Sequence, residues 1–180
     1  MANQDTLGQV NDKMREASRL ELYKQDEMGF VGFVTGTVTA NGGTQTLHLK
    51  NPSANSNSID VVRFLVSPQF TGEFAIYDSF SSAPSGGSSV SIDNLKMDAG
   101  GGVDSGNMTM NSGVSFTADG THLDIPTPGG GNGGNTVGEL IEGTEPIIEP
   151  GREIVCELTN QSGSDELGGM AIVYLEREDV

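Results

Sequence analysis

Hydrophobic positions along the chain recur with two different periods, and the change falls near residue 29. Between residues 5 and about 27, Leu7, Val10, Met14 and Ala17 recur at three-to-four spacing, extended by Leu20 or Glu21. That spacing predicts an amphipathic helix with a narrow apolar stripe. Asp5 or Thr6 stands at its start, and Gln9 lies three residues beyond Thr6, as in a capping box. So thin a stripe suits a helix laid on a sheet, on a neighbouring copy or on a membrane surface. From Gly29 onward the period is two. Phe30 to Thr39 is rich in aromatic and β-branched residues, and Asn41-Gly42-Gly43 predicts a tight hairpin into Thr44.

The stretch Thr44 to Ser67 organises the remainder. Leu47 and Leu49 share one face of an extended segment, with His48 and Lys50 on the other. Asn51-Pro52 ends that strand, because proline donates no ladder hydrogen bond. After the polar run to Ser58, Ile59 and Val61 resume the alternation, and Val62, Phe64 and Val66 continue it after a one-residue phase change. A slip of that kind predicts a β-bulge. The two segments are expected to pair across their loop as the seed of an antiparallel sheet. Phe70 to Tyr77 predicts a fourth strand, and the four together read as a meander or the start of a sandwich.

Further along, Ser79 to Ser89 predicts a loop, Val90 to Leu95 a short strand, and Asp98 to Asp104 a second loop. Met108 to Met110, Val114 to Phe116 and His122 to Ile125 predict strand pieces, with a turn at Ala118 to Gly120. Pro126 to Asn135 is a low-complexity excursion. Strands return at Val137 to Ile141, Ile147-Ile148, Glu153 to Thr159 and Gly169 to Glu176, with a turn at Glu149 to Arg152 and a polar hairpin loop from Asn160 to Gly168. Eight to ten strands at short spacing predict an all-β antiparallel jelly-roll or β-sandwich barrel spanning residues 29–180, preceded by an N-terminal helical arm over residues 1–28.

Charge adds an environment. Twenty-five acidic residues against nine basic ones give a formal net charge of -16 over 180 residues. The arm holds Lys13, Arg15, Arg19 and Lys24, so nearly all the net charge lies on the rest of the chain. Self-repulsion at that density is screened within about 3 Å in ~1 M salt, which suits a high-salt setting. The same balance argues against sequence-independent nucleic-acid binding, which needs a basic footprint. No run of about 18 apolar residues predicts a membrane-spanning helix. The first residues lack the basic and apolar regions of a secretory signal.

Candidate chemistry is sparse. Cys156 is the one cysteine, in the alternating strand Glu153 to Leu158, and reads as a small buried hydrophobe. His48 and His122 are the only histidines, each at an outward phase, so neither a three-histidine metal site nor a cupin-type cluster can form. The Asp98 to Asp104 loop has the composition of calcium-binding turns without the ligand spacing of an EF-hand; it reads as a surface loop, with a bound cation as the alternative. There is no Gly-x-Ser-x-Gly elbow and no phosphate loop, and a sugar-stacking face would have only Tyr23, Tyr77 and Tyr174 to draw on. No catalytic, cofactor-binding or metal-ligating residue is assigned, no cofactor is expected, and an enzyme is not.

The run Leu47-His-Leu-Lys-Asn-Pro-Ser-Ala-Asn-Ser-Asn-Ser-Ile-Asp-Val-Val-Arg-Phe64 resembles a theme of virus-particle β-barrel proteins, as do Ile148 to Asn160 and the closing Gly-Met-Ala-Ile-Val-Tyr-Leu-Glu176. With the acidity, residues 29 to 178 resemble virion structural proteins of viruses infecting halophilic archaea. The likeness is closest to the small major capsid protein of membrane-containing icosahedral viruses with vertical single β-barrels. That resemblance implies a place in the virion, self-association, and assembly with a second, larger β-barrel capsid protein. The arm would then contact neighbours or an underlying membrane. A decoration, turret or host-binding β-sandwich protein of a tailed virus and a carbohydrate-binding module are the alternatives.

Overall fold

A computed structural model of the chain describes residues 29–95, 108–121, 123–127 and 146–177. The arm, the Asp98 to Asp104 loop, His122, the strand expected at Val137 to Ile141 and most of the low-complexity excursion lie outside the described residues. The protein is all-β there, with thirteen strands where eight to ten were expected. They are β1 (Gly29–Val38), β2 (Gly43–Lys50), β3 (Ser58–Val66), β4 (Gly72–Tyr77), β5 (Phe80–Ser85), β6 (Ser88–Ser89), β7 (Ile92–Asn94), β8 (Thr109–Ser112), β9 (Ser115–Ala118), β10 (Leu123–Thr127), β11 (Ile147–Ile148), β12 (Glu153–Asn160) and β13 (Glu166–Arg177).

Two antiparallel sheets pack face to face as a β-sandwich. The five-stranded sheet has the order β11-β3-β13-β1-β7, and the six-stranded sheet β10-β4-β12-β2-β8-β6. A separate ribbon joins β5 to β9. The core between the sheets comes from the inward phase of each long strand. Phe30, Ile59, Val61, Phe64, Ile172 and Tyr174 on one side meet Leu47, Leu49, Phe74, Ile76, Ile154 and Leu158 on the other. Phe64 and Phe74 touch across the gap with centroids 6.1 Å apart, and Phe30 stacks on Tyr174 at 5.4 Å. Cys156 is buried in this core as expected, and burial pushes its thiol pKa up.

The bulge lies at the expected phase change. Val173 pairs with Arg63 and Tyr174 with Val61, so Val62 is the extra residue of β3. Because of it, Ile59, Val61, Phe64 and Val66 all face the core.

The pairing of consecutive strands corrects the sequence reading. β1 pairs with β13 and β7, whereas β2 pairs with β12 and β8, so Asn41 to Gly43 joins strands of different sheets. β2 and β3 likewise belong to opposite sheets, as do β12 and β13; neither Asn51 to Asn57 nor Gln161 to Asp165 is a hairpin loop. No meander forms: the chain changes sheet at each step from β1 to β4.

The reason is in the corners. Asn41 and Gly42 adopt positive φ (57° and 98°), the geometry of a tight reversal. Their amides do not close a hairpin, however: Asn41 N donates to Ser162 O and Gly42 N to Asn160 O. Asn160, fully buried, donates from Nδ2 to Val38 O and Ser164 O and accepts at Oδ1 from Ser162 N. One side chain thus ties the β1–β2 corner to the β12–β13 corner. At the opposite end Asn51, also fully buried, donates to Asn57 O and Ile148 O and accepts from Asn55 Nδ2. Gly151, at φ 83° in the expected turn after β11, donates to Asn51 O.

Two further expectations change. Ser79 to Ser89 is not a plain loop but carries β5 and β6, whose serines and Pro84 take strand geometry by pairing with β9 and β8. Pro126 and Thr127 belong to β10 rather than to the excursion; β10 is an edge strand, where a proline costs no ladder bond.

Candidate functional site

The two outer faces of the sandwich differ in chemistry, and each is built by the outward phase of its strands. On the six-stranded sheet, Val155 of β12 lies between His48 of β2 and Tyr77 of β4 in one cross-strand row. The adjacent row runs Thr46, Glu157, Ala75, Asp124. Val155, Ala75, Thr46 and His48 are all buried although they point away from the core. The β5–β9 ribbon and the residue before β9 supply cover: Val114 N donates to Thr46 Oγ1 at 2.9 Å, and Phe116 of β9 packs on Tyr77 at 5.1 Å and edge-on to Phe80 at 5.8 Å. His48 therefore has the outward phase expected of it but is only 4% exposed. A period of two reports phase alone; the partner that meets His48, Glu153, lies 105 positions away.

His48 Nε2 lies 3.1 Å from Glu153 Oε2, and Lys50 Nζ reaches the same oxygen at 3.3 Å. A carboxylate only accepts, so the imidazole carries its proton on Nε2 and leaves Nδ1 as an acceptor. Nδ1 is buried and meets no hydrogen-bond donor. The pair thus has the histidine and carboxylate of a proton relay, with no hydroxyl hydrogen-bonded at the nitrogen where a nucleophile would stand. Nearby, Tyr77 OH donates to Glu157 Oε1 at 3.4 Å. Burial, with the charge and hydrogen bond of Glu157, pushes the Tyr77 hydroxyl up to about 12. Burial also raises Glu157, against the lowering effect of Tyr77's hydrogen bond, and Glu73 adds repulsion. Among the described residues, no group of three or more histidine, cysteine or acidic side chains is placed to hold a metal.

This cluster sets a pH dependence. Burial holds His48 below its ordinary 6.5, outweighing the Glu153 hydrogen bond and charge that raise it, while Lys50 lowers it slightly further. As pH falls through about 6.5 the unfolded chain takes up this proton before the folded chain does, so stability is lost on acidification. Glu157 has the opposite sign, since a raised folded pKa contributes stability that is gained as pH falls toward 4.5 and is fully present below it. The expected result for His48→Gln is a flatter stability profile between pH 7 and 5 in denaturant titrations. An unchanged slope there would remove His48 as its source.

The outer face of the five-stranded sheet carries a group of exposed apolar side chains around Arg63. Phe33, Ala171 and Leu65 form one cross-strand row, and Val31, Val173 and Arg63 the next. Phe33 is 56% exposed, Leu65 38%, Leu167 52% and, on the edge strand, Ile147 60%. These residues escaped the sequence reading, but a signal for them was present. Phe30-Val31, Phe33-Val34, Phe64-Leu65 and Ile147-Ile148 are apolar on both phases, the pattern of strands covered on both sides.

The other candidates fall as follows. Tyr174 is wholly in the core, its hydroxyl buried without a hydrogen bond, and Tyr77 has Phe116 against its ring, so neither offers a free stacking surface. Tyr23, His122 and the Asp98 to Asp104 loop lie outside the described residues. No protein-family model matches the chain, and no curated protein matches its sequence.

Proposed function

We propose that the chain is a capsid structural protein whose sandwich is a jelly roll, preceded by a helical arm, and that it assembles in high salt into an icosahedral virion shell. The observation that carries this reading is the strand order. Four strands ordered β11-β3-β13-β1 face four ordered β10-β4-β12-β2, and successive strands of this set alternate between the sheets from β1 to β4 and again from β10 to β13. That order supports reading the sandwich as the double Greek key of a jelly roll, an architecture used by viral capsid domains, lectins and cupins. Within that group, a cupin centre lacks its histidine cluster among the described residues, and a lectin lacks an open aromatic platform there. The partners proposed are further copies of the chain and a second, larger β-barrel capsid protein. A net charge of -16 makes close packing of copies unfavourable until salt screens it.

The test is negative-stain microscopy of the purified full chain in molar salt and in dilute buffer. Rings, sheets or shells of regular spacing in molar salt, dispersing on dilution of the salt, are the expected result. A monodisperse monomer under both conditions would sink the assembly reading and favour a decoration or host-binding role.

A further inference from the structure

We infer that the apolar outer face of the five-stranded sheet is the docking surface for the N-terminal segment of the same chain, with the Leu7, Val10, Met14 and Ala17 stripe seated on it. The inference concerns the isolated subunit and stands independently of the proposed shell.

The face needs a cover. Val31, Phe33, Leu65, Ala171, Val173 and Ile147 share the outward phase of four adjacent strands. Arg63 stands among them, and Val31, Ala171 and Val173 are half-buried, while Phe33, Leu65 and Ile147 are exposed; apolar side chains gathered on one face in this way mark an interaction site. The opposite sheet already shows how this fold treats such a face, by laying the β5–β9 ribbon across it.

Position selects the occupant. β1 begins at Gly29, in the same row as Leu175 and next to the row of Val31 and Val173. The 28 preceding residues therefore enter the sandwich at the end of this sheet where the apolar rows begin. Phe33 lies four residues along β1, or about 13 Å at ~3.3 Å per residue. The stripe from Leu7 to Ala17 spans about 15 Å at ~1.5 Å per helical residue, which matches. Residues 21–28 remain to reverse the chain direction, and fully extended they reach about 26 Å, which is ample.

Charge and tethering favour this segment over a second copy. The segment from residue 5 to 27 has four basic and six acidic residues, so it is the least repelled part of a chain whose remainder has five basic and nineteen acidic. A short tether also presents the stripe to its own sheet at an effective concentration on the order of millimolar, above that of separate copies in dilute solution.

The test is limited trypsin digestion of the full chain in molar salt, following cleavage at Lys13, Arg15, Arg19 and Lys24. Docking is expected to slow cleavage there, with a rate constant independent of protein concentration. Leu7→Glu with Met14→Glu, which leaves every described residue untouched, is expected to accelerate cleavage at least ~10-fold, because proteolysis follows the population of the open form. Phe33→Glu with Leu65→Glu, on exposed positions of the face, is expected to do the same while far-ultraviolet circular dichroism shows the sandwich intact. Equal rates in the intact chain and both variant pairs would overturn the inference. So would protection that vanishes on hundredfold dilution, which assigns the face to a second copy, or protection that appears only with anionic lipid vesicles.

Discussion

Asn160→Ala is expected to lower the unfolding free energy by on the order of 3 kcal/mol, a large effect for one polar side chain. Asn160 is fully buried and satisfies three backbone groups with one amide, Val38 O, Ser164 O and Ser162 N. Truncation leaves them without that partner; the bond to Val38 O is buried and those to Ser164 O and Ser162 N are part-buried, and a buried group so orphaned costs about 1–3 kcal/mol. The cost is not shared with a single element. Gly42 N bonds to the Asn160 carbonyl and Ala40 N to Asp165 Oδ1, so the β1–β2 and β12–β13 corners are braced together. Asn160→Asp is expected to be at least as damaging. It keeps an acceptor for Ser162 N but turns an oxygen toward two carbonyls, in a place where a charge is poorly solvated. Denaturant titration in molar salt reads both variants. A loss below about 0.5 kcal/mol would show that water or loop movement replaces the amide. Asn51→Ala, at the other end, is expected to behave alike, since it holds Asn57 O, Ile148 O and Asn55 Nδ2.

Phe74→Ala is the second large effect, a loss of about 4 kcal/mol. Phe74 of β4 is buried beneath Phe64 of the opposite sheet, and its removal opens a void in the layer between them. Antiparallel neighbours on both sides, β10 and β12, limit how far β4 can shift to close it. Phe33→Ala serves as the internal contrast. Its ring stands on an outer face, where only the docked N-terminal segment would cover it, so its loss is expected to be clearly the smaller of the two in the same titration. Equal losses for the two would mean that the core closes around the smaller side chain.

Much of the sandwich was legible because strands carry their own signal. The alternation of Leu47 and Leu49, of Phe74 and Ile76, and of Ile154, Cys156 and Leu158 needs no partner to be read, and each set faces the core. The bulge at Val62 was legible for the same reason, since one inserted residue inverts the phase of everything after it. The turns at Asn41-Gly42 and Glu149 to Arg152 were also marked by residues that tolerate reversal. Strand partners were not legible. A turn states that the chain reverses, while the strand it delivers pairs with whichever edge the corners present. Here that edge belongs to β12 or β13, more than 100 residues away for β1 and β2.

The outer faces followed the same division. Thr46 and Tyr77 have an outward phase in the sequence, and only the tertiary structure lays Val114 against the first and Phe116 of β9 against the second. The β5–β9 ribbon is Ser-rich and of low strand propensity, so it exists as strand through pairing and not through composition.

By itself, then, the amino-acid sequence determined the strand periods, the bulge, the acidic balance and the all-β class, since these depend on residues within a few positions of each other. The tertiary structure alone decided that the chain changes sheet at every corner from β1 to β4, that Asn51 and Asn160 brace those corners, and that one outer face is covered while the other shows Phe33 and Leu65. Each of those depends on hydrogen bonds and burial between residues far apart in the chain, which no local pattern encodes.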